Sequence, residues 1–247
     1  QWLGWRRTGL RMGYRPNYLH DGYVVPHFET RQSSEFFKFA YKNGMEGAVF
    51  DSNTGQWAVH GPRLYMHMRL LCDPELELDD IRDEYFSAFG PAAEHIKRYF
   101  DYWEKYAFDN TLHFIDLFTS PRRYATYPRQ VHQAFPLGVF EPAMKLLDQA
   151  LEEARQDELP EYAARVQFLR TGLEHALLTI KLAKIFDGNR DVPEGQMEEA
   201  RQSLYELVRF RKKHEKSYFA DLYHVTYYWE RPQWNLDSLL REVPSEM

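Results

Sequence analysis

Glu161-Tyr162-Ala163-Ala164-Arg165-Val166-Gln167-Phe168-Leu169-Arg170-Thr171-Gly172-Leu173, continued through Leu177 and Ile180 to Phe186, is the stretch of this 247-residue chain that organises everything around it. Val166, Leu169, Leu173, Leu177 and Ile180 recur at three- and four-residue steps, the signature of one long amphipathic helix, and Gly188 stands just past its end. A helix of that length needs neighbours to cover its apolar stripe. Residues 140–155, with Met144, Leu147 and Leu151, and residues 194–214, with Leu204, Leu207 and Val208, carry the same periodicity on either side. The breaks between the three contain Pro160 and Gly188-Asn189 and are short, so residues 139–214 are expected to form a compact antiparallel bundle. Upstream, Asp79 caps a helix carrying Ile81, Tyr85 and Phe86, and Gly90-Pro91 opens another with Ile96, Tyr99, Phe100, Trp103 and Tyr106. Residues 107–138, with prolines and glycines bunched from Pro121 to Gly138, read as an irregular connection.

The first 74 residues follow a different rhythm. Leu10-Arg11-Met12-Gly13-Tyr14 reads as a short strand leading into a long loop over residues 15–29. Residues 32–41 read as a helix stopped by Asn43-Gly44, and Gly47-Ala48-Val49-Phe50 as a second strand before the turn formers Asp51-Ser52-Asn53-Thr54-Gly55. Pro62 is placed in the first turn of the next helix. Strands joined through a helix run parallel, and two of them leave open edges. With the chain opening on Gln1-Trp2-Leu3, the expectation is that an upstream portion, or another chain, supplies the strands that complete the sheet.

A formal charge of −6, without a basic block, argues against nucleic acid and anionic membrane as partners. No run approaches the roughly 20 apolar residues of a membrane helix. The single cysteine, Cys72, sits in Leu70-Leu71-Cys72 and reads as a buried small hydrophobe. Aromatic residues make up 16% of the chain, and many stand beside polar residues, as sugar-stacking rings do; most are expected to fill gaps between helices.

The order of several short motifs resembles one family. Arg15-Pro16-Asn17-Tyr18, Gly47-Ala48-Val49-Phe50-Asp51, Gly55-Gln56-Trp57-Ala58 and Gly61-Pro62-Arg63-Leu64-Tyr65 look like the DUF4838 family, and Glu84-Tyr85-Phe86-Ser87-Ala88-Phe89-Gly90-Pro91 and Arg165-Val166-Gln167-Phe168-Leu169-Arg170 continue the pattern. The resemblance runs over residues 10–186. It implies a glycoside-hydrolase-like protein akin to α-glucuronidases, tilted toward an extracellular or periplasmic location. The fold class it implies is α/β plus mainly α: the C-terminal part of a TIM-type (β/α) barrel over residues 1–74, followed by an antiparallel helical domain over residues 75–247.

In such a barrel the active site lies at the carboxyl ends of the strands. Glycoside hydrolysis needs two carboxyl groups about 5–10 Å apart, and Asp51 and Glu29 are the candidate catalytic pair. Asn17, Tyr18, His20, Asp21, Asn53, Trp57 and His60 are candidate substrate-binding residues. Each has a plainer reading: Asp51 as an Asx turn, Glu29 and Asp21 as solvated loop carboxylates, Trp57 as packing against the following helix. The histidines lack metal-ligand spacing, so neither metal nor other cofactor is expected; the partner that the resemblance implies is a glycan. The alternative is a non-catalytic carbohydrate-binding or scaffold module. The basic cluster at residues 209–214 complements a helix C-terminus. The aromatic segment 218–234 is either a sugar-binding surface or, preferentially, a tail docked on the bundle.

Overall fold

The computed structural model describes residues 1–16, 23–26, 30–50, 56–117 and 123–240. It is mainly helical, 73% helix against 3% strand, so the α/β character shrinks to a single strand pair and the described residues contain no barrel.

That pair has the connection expected of it. β1 (Met12–Tyr14) and β2 (Met45–Ala48) are parallel, and α2 (Thr30–Lys42) lies between them in the chain. Met12 opposes Met45, Gly13 opposes Gly47 and Tyr14 opposes Ala48, with an irregularity after Met12 that leaves Glu46 unopposed. β2 begins two residues earlier than the apolar run suggests. The Val49 N–H still donates to the Tyr14 carbonyl (2.9 Å), so pairing continues past the strand's formal end. A short helix, α1 (Trp2–Arg6), precedes the pair.

α3 (Trp57–Cys72) starts five residues before Pro62, which lies inside it rather than in its first turn. The Ala58 N–H, one of the unsatisfied donors of that first turn, reaches the carbonyl of Phe219 at 3.0 Å, which ties the start of α3 to the far end of the chain. In the last turn Leu70 points inward while Leu71 and Cys72 face out, so Cys72 is exposed and not buried as its apolar neighbours suggest.

α4 (Leu78–Ser87), α5 (Ala93–Asp109), α6 (Thr111–Leu117), α7 (Arg123–Ala134), α8 (Phe140–Ala154), α9 (Pro160–Phe186) and α10 (Met197–His214) follow. The bundle of α8, α9 and α10 keeps the expected order, within three residues at every boundary. The expectation of an irregular connection over 107–138 is corrected: α6 and α7 occupy most of it, and Pro128 sits within α7. Val131, Ala134 and Phe135 are buried there, and burial of these side chains outweighs the helix-breaking tendency that Pro128 suggests on its own.

α9 is the hub, packed against α3, α7, α8 and α10. Its Val166, Leu169, Leu173 and Ile180 are fully or nearly fully buried. Gly172 marks the crossing with α3: a Cβ there would stand 2.5 Å from the Cβ of Ala58, so the two helices approach at a distance only glycine permits. α9 ends with Asp187 and Gly188 in the left-handed region, as a chain turning out of a helix requires. After α10, α11 (Leu222–His224) runs into a π-helical stretch, Val225–Glu230, and α12 (Leu236–Leu240) closes the described chain.

Candidate functional site

Two parallel strands end on the same side, so the chain leaves both at one end, through residues 15–16 after β1 and 49–50 after β2. Most of the candidate residues, Asp51, Glu29, Asn17, Tyr18, His20, Asp21 and Asn53, lie outside the described residues. The described residues define a wall beside these strand ends.

That wall is α3. Gln56, His60, Arg63 and His67 are all buried, at 2–3% exposure, and their spacing of four, three and four residues puts them in one line along the helix. A polar line on the inner face of a helix is unusual, because each buried polar group must be compensated by a partner. All four are engaged in interactions. His60 Nε2 donates to the carbonyl of Val25 at 3.1 Å. His67 Nδ1 donates to the carbonyl of Arg63 at 2.8 Å, and its ring meets the edge of Phe50 at 5.0 Å and Phe37 at 6.4 Å. The line therefore touches the loop after β1 at one end and the exit from β2 at the other. Phe50, the residue before Asp51, also packs on Tyr14 at the end of β1 (6.2 Å).

Burial is the main reason the His67 pKa is lowered to about 4, with the neighbouring Arg63 charge adding to it, so this imidazole is neutral at physiological pH. Of the two described candidates, Trp57 stands in the first turn of α3 at 41% exposure, open to a stacking partner. His60 is enclosed and holds the Val25 carbonyl.

Sequence reasoning missed what anchors the first loop. Tyr23, Val24, Val25 and Pro26 are buried, and Tyr23 has a positive φ of 49°, a strained conformation for a non-glycine residue. Its hydroxyl donates to Glu230, and its ring stacks on Trp229 at 5.0 Å. Glu230 accepts two hydrogen bonds from Arg211, Nη1 to Oε2 and Nη2 to Oε1, each 2.6 Å. Arg211 Nε donates to His175 Nε2 at 2.9 Å, and Nη1 also donates to Thr226 Oγ1 at 3.2 Å. Burial, reinforced by Arg211, drives the His175 pKa well below its usual value, and burial also raises that of Tyr23 well above its own. Arg211 thus departs from the basic cluster at the end of α10: Arg209, Lys212 and Lys213 face solvent while it turns inward and, through Glu230, holds Tyr23, 188 residues away in sequence. The apolar run Tyr23-Val24-Val25-Pro26, inside an otherwise polar loop, was the available signal.

Among the described residues no group of three or more His, Cys, Asp or Glu side chains is placed to hold a metal ion, and no helix is long and apolar enough to cross a membrane. No curated protein matches the chain, and no solved structure does. Residues 2–101 match the model of a domain of unknown function, DUF4838, a span that takes in both strands, the polar line of α3 and the first half of α5. Over these residues the chain is similar to the DUF4838 family.

Proposed function

We propose that this chain is part of a carbohydrate-processing protein of the glycoside-hydrolase class, with the loops after β1 and β2 forming one side of the sugar pocket. The observation that supports it is the convergence just described: two parallel strands whose loops leave at one end, over a helix that lines that end with buried polar side chains. This is where α/β architectures place their ligands.

In this reading β1, α2, β2 and α3 are closing βα units of a TIM-type barrel, residues 75–247 are its helical domain, and further strands from an upstream portion or another chain complete the sheet. Asp51 and Glu29 act as the carboxyl pair, one as acid and the other as base or nucleophile. Asn17, Tyr18, His20, Asp21 and Asn53 hydrogen-bond the glycan, and Trp57 stacks on it. His60 contributes through the Val25 carbonyl, by holding the loop that carries the others. Turnover of a glycan panel by the protein with its remaining strands in place, compared with its Asp51→Ala variant, tests the assignment. Loss of hydrolysis in the variant is expected; undiminished turnover removes Asp51 from the chemistry.

A further inference from the structure

The segment 218–234 divides its aromatic residues between two faces. Phe219, Trp229 and Trp234 are buried, whereas Tyr223, Tyr227 and Tyr228 are 63%, 48% and 62% exposed. The division follows from the π-helical winding, closed by the Arg231 N–H donating five residues back to the Thr226 carbonyl at 2.9 Å. In so wide a turn, residues i, i+4 and i+5 share a face. Val225, Trp229 and Glu230 therefore face inward together, and Tyr223, Tyr227 and Tyr228 outward together.

The outward rings make a contiguous platform. Tyr223 lies 4.7 Å from Tyr227 and 6.1 Å from Tyr228, His224 stacks on Tyr228 at 5.0 Å, and the Arg231 guanidinium stands over Tyr227 at 5.5 Å while pairing with Asp237 at 3.2 Å. Its backing is rigid, because Arg211 ties the end of α10 to Thr226 and Glu230 beneath it. No exposed aliphatic side chain lies between residues 218 and 231, so the exposed surface there is carried by tyrosine rings and charged side chains. Each exposed ring offers an apolar face and a hydroxyl.

We infer that Tyr223, Tyr227 and Tyr228 form a binding platform for an acidic glycan. The rings stack on sugar faces, and the hydroxyls and His224 meet sugar hydroxyls. The charge of the ligand follows from the surroundings. Arg209, Lys212, Lys213 and Lys216 are exposed at the end of α10 that Arg211 joins to Thr226 and Glu230, and Arg231 stands over Tyr227, against Glu215, Asp221 and Asp237, in a chain of net charge −6. The platform does not depend on hydrolysis at the strand ends.

Calorimetric titration of the chain with a galacturonic acid tetramer, a neutral glucan tetramer and phosphatidylserine vesicles tests it. The acidic tetramer should bind, more weakly as salt is raised, and Tyr223→Ala/Tyr228→Ala should weaken it about tenfold or more. Both positions are exposed, so circular dichroism and the melting temperature should not change. The Asp51→Ala variant should keep this binding, which separates the platform from the strand-end site. Absence of binding, equal binding of the neutral tetramer, binding of vesicles alone, or undiminished affinity in the double variant would each overturn the proposal.

Discussion

Arg211 and Glu230 meet as a two-pronged ion pair inside the molecule, both contacts 2.6 Å, with the Glu230 side chain 1% and the Arg211 side chain 10% exposed. The pair joins α10 to the π-helical stretch, and through Tyr23 it reaches the loop after β1. Removing either partner leaves the other charge buried and uncompensated. Glu230→Ala and Arg211→Ala should each cost about 3–5 kcal/mol of unfolding free energy by denaturant titration. The double substitution Arg211→Met/Glu230→Leu should cost less than either, because no unpaired charge remains.

His67 gives a pH dependence of known sign. Its pKa is about 4 in the fold against 6.5 in the unfolded chain, so below pH 6.5 the unfolded chain binds a proton that the folded one refuses. Stability is therefore fully present above pH 6.5 and falls as pH drops toward 4, by ~3 kcal/mol from this group at 1.36 kcal/mol per unit. Buried His175 acts in the same direction. Denaturant titrations at pH 7 and pH 4.5 check this: His67→Gln should narrow the gap between the two, and an unchanged gap would mean His67 is protonated in the fold.

Gly172 tests the crossing of α3 and α9. Alanine ordinarily improves a helix interior by about 1 kcal/mol over glycine. Here the added methyl would sit 2.5 Å from Ala58 Cβ, so overpacking should win and Gly172→Ala should destabilise by about 1–3 kcal/mol. Gly172→Ala/Ala58→Gly should recover much of that loss, since the clashing atom is removed; equal instability in the pair would place the contact elsewhere.

The helical bundle was legible because α9 carries its periodicity over seven turns, and local pattern and packing agree there. The parallel strands were legible in order and direction, though β1 and β2 are so short that their ends shift by two residues. What the sequence hid was set by partners distant along the chain. Pro128 and Pro62 read as boundaries, yet tertiary burial carries helix past both. Arg211 reads as one of a basic run, and only the arrival of Glu230 and Tyr23 from other segments turns it inward. The buried line on α3 was visible residue by residue, but a helix placed to start at Pro62 conceals that Gln56 and His60 share a face with Arg63 and His67.

The most direct measurement of the central claim is the turnover of glycans by the protein with the further strands of the proposed barrel in place, alongside Asp51→Asn and Glu29→Gln. The account predicts that each variant still binds substrate while its turnover falls by roughly 10²–10⁴-fold, the loss expected when one carboxyl group of an acid–base pair is neutralised. Turnover at the parent rate in both variants would contradict it, and would remove Asp51 and Glu29 from the chemistry of this protein.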